Sequence, residues 1–426
     1  MIRLIYRVLV CVAAPMAFAV TVWRGIRDPL YRDRLGERFG FTRVRVHEPS
    51  IWVHAVSVGE VQAAATLIRT LHERYPGRTL IVTTATPTGA ARVRALFGAS
   101  VTHVYLPYDL TGSVRRFLER VRPQLGIVLE TEVWPTLYRE CARRRIPIVL
   151  ASARLSEKSV RRFQRFSALF KAVLEQDITI AAQTAVDADR FRAVGAPAAR
   201  IHVTGNIKFD MRLPADLLTR GSELRNSQFG ARFVWVAGST HEGEEDVVLD
   251  AHRALIAQRP DALLVLVPRH PNRFERVRQW LGASEVTFVS RSAQEALTPQ
   301  TQVMLGDTLG ELTLFYAACD VAFVGGSFVA IGGHNLLEPA ALARPVLTGP
   351  NNFNAPDIAK LLVEQGAAIV VDSAASLAAT LESLAQDRHR VEAMGHAGVS
   401  VLENNRGALE RLLSLIEPLL QSRRDA

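Results

Sequence analysis

Apolar residues along this chain fall into short runs of strand length, separated by stretches with helical periodicity. In the first half the runs are IWVHAV, TLIVTTAT, THVYLPYD, QLGIVLET, IPIVLASA, ITIAAQ and IHVTGN. Runs apolar at consecutive positions are what parallel strands buried on both faces require. Between them, helical patterns cover 61–74, 88–97, 112–121 and 159–175. The second half repeats the plan with FVWVAGST, LLVLVPRH, VTFVSR, VAFVGGS, PVLTGP and AAIVVD. This alternation predicts the α/β class, as two doubly wound, Rossmann-like domains. The segment 211–231, MRLPADLLTRGSELRNSQFGA, is polar without a strand signal and reads as an interdomain linker. The expected organisation is therefore an N-terminal segment 1–24, a domain 25–210, the linker 211–231, and a domain 232–426 that ends in a helix. Ligands of open parallel sheets sit outside the carboxyl ends of the strands. Two such domains facing each other predict a cleft lined by strand-end loops.

The N-terminus breaks the pattern. VLVCVAAPMAFAVTVW, residues 8–23, has no charge, with Arg3 and Arg7 before it. An uncleaved membrane anchor, a signal peptide cut near AFAV, and a buried core helix all fit. Arg24, Arg27, Arg32, Arg34, Arg38, Arg43 and Arg45 follow at once and resist translocation. They favour an anchor with the body on the cytoplasmic side.

Composition adds bounds rather than chemistry. With 426 residues, 48% hydrophobic and 22% charged, the chain is globular and large enough for two domains. Cys11, Cys141 and Cys319 are scattered, fit no metal spacing and suggest a reducing compartment. The net charge of +9 comes almost wholly from arginine, since Lys158, Lys171, Lys208 and Lys360 are the only lysines. Arginine excess suits anionic lipid or phosphorylated substrates, or reflects genomic base composition. Without a basic-aromatic RNA motif or a helix-turn-helix, no nucleic-acid partner is expected.

Candidate chemistry concentrates at strand ends. In HAVSVGE, a small polar loop, Ser57-Val58-Gly59, precedes Glu60 where a helix starts. That carboxylate either caps the helix or takes a proton in a cleft; a helix start is expected to lower its pKa. LETEVWP places Glu130 and Glu132 after another strand, ASARLSEKS supplies Arg154, and GNIKFD supplies Lys208. In the second half, VAFVGGSFVAIGGHNLLEPAA brings Gly325-Gly326, Gly332-Gly333, His334, Asn335 and Glu338 onto one turn, with helix expected at 336–342. Glycines admit a ligand's close approach, and a helix start offers N–H groups to phosphate. PRHPNRF presents Arg269, and GDTLGEL places Gly310 and Glu311 at a helix start. No phosphate-binding P-loop or GxGxxG fingerprint is present, and HEGEE lacks the second histidine of HExxH. Asp187 and Asp189 match a DxD pattern but lie in a helical stretch, where they read as solvated face. No metal or cofactor is required.

Taken together, HAVSVGE, TPTG, ETEVWP, SARLSEKS, GNIKFD, AGSTHEGEE, PRHPNRF, GDTLGEL and GGHNLLEPAA, in this order, resemble the 3-deoxy-D-manno-octulosonic acid (Kdo) transferases of lipopolysaccharide synthesis. The resemblance spans nearly the whole chain, with small departures at 328–331 and 351–357. It implies a two-domain GT-B glycosyltransferase, metal-independent and inverting, at the cytoplasmic face of the inner membrane. CMP-Kdo would be the donor and a lipid A precursor (lipid IVA) the acceptor. It implies Glu60 as general base and Glu130 and Lys208 as transition-state helpers. Pro268, Arg269, Leu309, Gly310, Glu311, Asn335, Leu336, Leu337 and Glu338 would contact CMP. Ser57, Gly59 and Arg154 are candidate contacts to acceptor or Kdo. A GT-B enzyme using a UDP-sugar and a non-catalytic, membrane-anchored nucleotide-sugar-binding protein remain the alternatives.

Overall fold

The structure, a computed structural model, describes residues 2–165 and 167–421. Met1, Phe166, 422–426 and the side chains of residues 2–5, 27, 167 and 169 lie outside that description. The chain divides into two compact units, Met1–Met211 with Asn405–Ala426, and Arg212–Asn404.

The first unit is built on strands β1 (Ser50–His54), β2 (Leu80–Thr84), β3 (Thr102–Tyr105), β4 (Pro123–Leu129), β5 (Ile148–Ala153), β6 (Ile178–Ala182) and β7 (Ile201–Val203). All pair in parallel in the order β3-β2-β1-β4-β5-β6-β7. Chain order reverses between β1 and β4, which opens a crevice at their carboxyl ends. Alternate β1 side chains serve opposite cores. Trp52 meets Phe117 edge-on at 5.5 Å in one core, which also holds Tyr138 and Phe191. Ile51 and Val53 pack with Val61, Leu67, Ile68 and Leu71.

The second unit carries β8 (Val234–Thr240), β9 (Leu263–Pro268), β10 (Phe288–Ser290), β11 (Val303–Leu305), β12 (Val321–Val324), β13 (Val346–Thr348) and β14 (Ala368–Val370). Its order is β10-β11-β9-β8-β12-β13-β14, again parallel, with the reversal between β8 and β12. Strand β11 is absent from the sequence reading, because three apolar residues between polar neighbours give no strand-length run.

Two boundaries differ from the sequence expectation. The segment after Met211 is not an open linker. Its helix Leu217–Leu224 packs on the helix Leu312–Ala318 so closely that a Cβ on Gly221 would come within 2.5 Å of Ala317. The last helix, Ala408–Gln421, belongs to the first unit. Leu409, Leu412, Leu413, Ile416 and Leu420 recur at helical spacing and are buried in the β1 core. The Asp210 carboxylate accepts from the Gly407 and Leu409 N–H groups at 2.7 and 2.8 Å, which fixes the start of this helix.

The helix Ile2–Arg27 lies along the first unit. Tyr6 donates to Asp109 at 2.7 Å, Phe18 meets Phe39 edge-on at 5.3 Å, and Thr21 is 3.3 Å from the Tyr108 hydroxyl. Ala14 is buried on the same face. The opposite face exposes Leu9, Val12, Met16 and Trp23. Two arginines of the basic flank are structural. The Arg34 and Arg38 guanidinium groups each lie 4.7 Å from the Tyr105 ring centre, and Arg38 donates to the Ala85 carbonyl at 3.0 Å.

Candidate active site

The β1–β4 crevice gathers the acidic candidates. After β1 the chain turns into the helix Val58–Ala63, with Ser57 as N-cap and Glu60 in the first turn. Glu60 reaches back to accept the Val56 N–H at 2.5 Å. Capping and catalysis are therefore not exclusive here, because one N–H leaves most of the carboxylate's acceptor capacity open. Its pKa is not lowered by the helix start. Burial pushes it up to about 8; the Val56 N–H opposes this, while Glu130 and Glu132 add to it. Desolvation outweighs a dipole that acts only at close range and is readily screened. Gly59 beside it is exposed, and an added Cβ would meet only the Ser57 Oγ, at 4.0 Å. The fold does not need glycine there, although glycine in a helix costs about 1 kcal/mol relative to alanine.

Glu130 ends β4 in the left-handed region at φ 56. This conformation turns its carboxylate to Lys208 Nζ at 3.0 Å and Arg154 Nε at 3.8 Å. Lys208 is held by its own turn, where its N–H donates to Asn206 Oδ1 at 3.0 Å. The adjoining Ile207 N–H donates to Ser152 Oγ at 3.1 Å. Burial also raises the pKa of Glu132. The crevice thus holds one lightly bonded carboxylate beside a carboxylate–ammonium pair.

In the second unit the β8–β12 crevice is organised by a residue that sequence reading passed over. Glu244 is fully buried. It accepts from the N–H groups of His241 at 2.9 Å, Gly326 at 2.7 Å, Ser327 at 2.9 Å and Phe328 at 2.9 Å. One carboxylate ties the turn after β8 to the turn after β12. The acid in HEGEE was visible; three of its four donors, more than 80 residues later, were not.

Arg269 follows β9 and has no ion-pair partner among the described residues. The helix after Asn335 is shorter than expected, Leu337–Ala341. Asn335 Oδ1 accepts the Leu337 N–H at 3.2 Å, and Asn335 Nδ2 donates to Glu338 at 3.1 Å. Pro268, Leu336 and Leu337 are buried, so they reach a ligand chiefly through backbone. The two departures from the family pattern meet. Asn351 Nδ2 donates to the Phe328 carbonyl at 3.2 Å, and Asn354 Nδ2 to the Ile331 carbonyl at 3.0 Å.

The third group stands apart, after β11. Glu311 is gripped by Arg291 through Nε at 3.1 Å and Nη2 at 2.8 Å, and that pair holds its pKa below the usual carboxylate value. Both line a cleft of about 440 Å³ with Val289, Met304 and Thr308. Leu309 and Gly310 are exposed beside it.

Asp187 is not solvated. It is buried and accepts from the Leu155 N–H at 3.0 Å and the Thr184 hydroxyl at 2.6 Å. Asp189 is exposed and paired with Arg192. Among the described residues, no group of three or more His, Cys, Asp or Glu side chains is arranged to hold a metal ion.

Residues 33–211 match the family profile described as 3-deoxy-D-manno-octulosonic-acid transferase (kdotransferase), and 233–400 that of glycosyl transferases group 1. The chain is 44% identical over 422 residues to the 3-deoxy-D-manno-octulosonic acid transferase of Haemophilus influenzae, covering 98% of this chain and 99% of that one. It is 38% identical over 396 residues to that of Bordetella pertussis, covering 90% and 91%. Among solved structures, UDP-GlcNAc 2-epimerase from Neisseria meningitidis superposes with a TM-score of 0.55 at 15% identity, covering 87% of this chain and 100% of that one. A glycosyltransferase from Rickettsia africae gives 0.56 at 12%, covering 88% and 100%. These two likenesses show the fold alone, which is GT-B. With both sequence relatives matched from end to end or nearly so, the chain belongs to the 3-deoxy-D-manno-octulosonic acid transferase family.

Proposed function

We propose that this protein transfers Kdo from CMP-Kdo to a lipid A precursor, with inversion and without a metal. The observation that carries the reading is Glu60. It is a carboxylate at a topological switch point, committed to one N–H, poised near neutrality and set beside the Glu130–Lys208 pair. Glu60 takes the proton of the acceptor hydroxyl as that oxygen attacks the anomeric carbon. The bond from that carbon to the donor phosphate breaks, and CMP leaves with the electron pair. One displacement inverts the configuration. Lys208, held by Glu130, is placed to offset charge as the bond breaks. The exposed, open Gly59 supports close approach of the acceptor sugar.

Arg269 is assigned to the leaving phosphate. A planar guanidinium with no carboxylate partner suits a phosphate and supplies cationic stabilisation there. The test is incubation with CMP-Kdo and lipid IVA, read by product mass, with and without excess chelator. Product carrying added Kdo, at an unchanged rate with chelator, is expected. Turnover with a UDP-sugar in place of CMP-Kdo would overturn the donor assignment, and a rate restored by divalent metal would overturn metal independence.

For localisation we propose the cytoplasmic face of the inner membrane, with the helix Ile2–Arg27 lying in the interface. Its contacts with the first unit run from Tyr6 to Thr21, about 22 Å of helix at 1.5 Å per residue. A helix held along its length by a folded domain has only its outer face for lipid, and that face is apolar. Leu9→Glu with Met16→Glu should weaken binding to vesicles of phosphatidylglycerol and phosphatidylcholine about 100-fold, from some 3 kcal/mol of lost burial. Both side chains are exposed, so melting temperature should not move; sedimentation with vesicles at wild-type levels would refute the assignment.

A further inference from the structure

Three histidines from three strand ends meet in the second unit beside Arg269. His241 follows β8, His270 follows β9, and His334 follows the turn after β12. The His241 and His334 rings lie nearly parallel, at 8°, with their Nε2 atoms 2.8 Å apart. His270 stands edge-on to His241 at 5.3 Å.

Two ring nitrogens at hydrogen-bond distance need one proton between them. Two N–H groups would collide, and two bare nitrogens would repel. The neutral pair is therefore locked as complementary tautomers, one Nε2–H donating to the other Nε2. Adding one proton leaves that bond intact and makes it charge-assisted, with both Nδ1 atoms then donors. The pair is built to accept this. Glu244 fixes the His241 backbone and, through the Gly326 N–H, the turn that packs on His334. Gly326 has φ 71, and a Cβ there would lie 2.9 Å from His334 Cδ2, so the ring is seated against backbone.

The charges facing the pair keep it neutral while the site is empty. Burial first, then Arg269 with the neighbouring histidines, lower His334 to about 3. Burial, Arg273 and Arg269 lower His241, opposed by Glu245, which is itself paired with Arg273 at 2.8 Å. The phosphate dianion of CMP, whose second charge develops as the bond to the sugar breaks, reverses the balance when held on Arg269. It cancels the guanidinium charge and adds negative charge of its own, so the protonated form becomes favoured.

Resting on the CMP-Kdo reading, we propose that His241 and His334 form a proton-sharing dyad that takes up a proton when the nucleotide phosphate docks, giving that phosphate a second cationic hydrogen-bond donor beside Arg269. The proton comes from solvent and stays on the dyad; no covalent bond changes.

The test is calorimetric titration of the full-length protein with CMP at pH 8, where the CMP phosphate is already a dianion, in two buffers of different ionisation enthalpy. The buffer dependence should report net proton uptake on CMP binding. In the double variant His241→Gln, His334→Gln, where amides occupy the Nε2 positions without titrating, CMP should still bind with the uptake abolished. Heat independent of buffer in the wild type would overturn the proposal, as would uptake that persists in the variant. The wild-type measurement decides alone if the variant does not fold. Failure of wild type to bind CMP at all would instead sink the donor reading beneath it.

Discussion

Glu60→Gln is expected to lower turnover by about 10²–10⁴-fold, the usual contribution of a general base, with CMP affinity unchanged within about a factor of two. Glutamine keeps the size and the acceptor for the Val56 N–H, so the turn at the start of Val58–Ala63 survives. What it loses is the ability to hold a proton. The pH dependence sharpens the assignment. A base must be ionised to act, and burial raises this one to about 8. Wild-type kcat/KM should therefore rise about tenfold per pH unit below that value and level off above it. The stability effect runs the other way. Between the ordinary value of 4.5 and about 8, folded Glu60 keeps a proton that the unfolded chain has released. This group therefore destabilises the fold progressively as pH rises through that window. Glu60→Gln carries no such penalty and should melt higher than wild type at pH 8.5. Near-normal turnover in the variant, or a flat pH profile in the wild type, would falsify the role of Glu60.

Glu244→Ala is expected to unfold the second crevice rather than tune it. Four N–H donors lose their acceptor, two of them on the fully or largely buried residues Gly326 and Ser327. Each buried unsatisfied donor costs about 1–3 kcal/mol, so the loss should be on the order of 4 kcal/mol even if two of the four recover water. For a unit of this size that corresponds to a fall of roughly 10 °C in melting temperature. CMP binding should be lost with it, because the same carboxylate sets the His241 and Gly326 backbones. A calorimetric scan beside a CMP titration checks both. The contrast with Glu60 is instructive. Two acids in similar strand-to-helix turns differ in function by how many backbone donors they satisfy, one against four.

That difference also marks where sequence reading stops. The strands were legible because parallel strands buried on both faces leave long apolar runs, and those runs also place Glu60, Glu130 and Lys208 in the loops that follow strands; the roles proposed for them come from the family resemblance. Lys208 and Glu130 do meet, at 3.0 Å, across 78 residues of sequence. The rest depends on distances that no local pattern carries. The sign of the Glu60 shift turns on how deeply its loop is buried. Three of the four donors of Glu244 come from the turn after β12, and Asp187 looks solvated until the Leu155 N–H is seen to approach it. The last helix carries the same periodicity whichever core it fills; only Asp210 and the β1 core decide.

The placement of Ala408–Gln421 has a consequence for biosynthesis. On the ribosome the helix Ile2–Arg27 is made before the second unit and Ala408–Gln421 after it. The whole intervening unit, Arg212–Asn404, is made in between. At about 5–20 residues per second, the leucine-lined seat beneath β1 stands open for roughly 10–40 s. For that interval the nascent first unit exposes a greasy groove on the Ile51 and Val53 side of its sheet. The first unit is completed only once Ala408–Gln421 has been made, and the second unit, contiguous in sequence, is free to fold ahead of it.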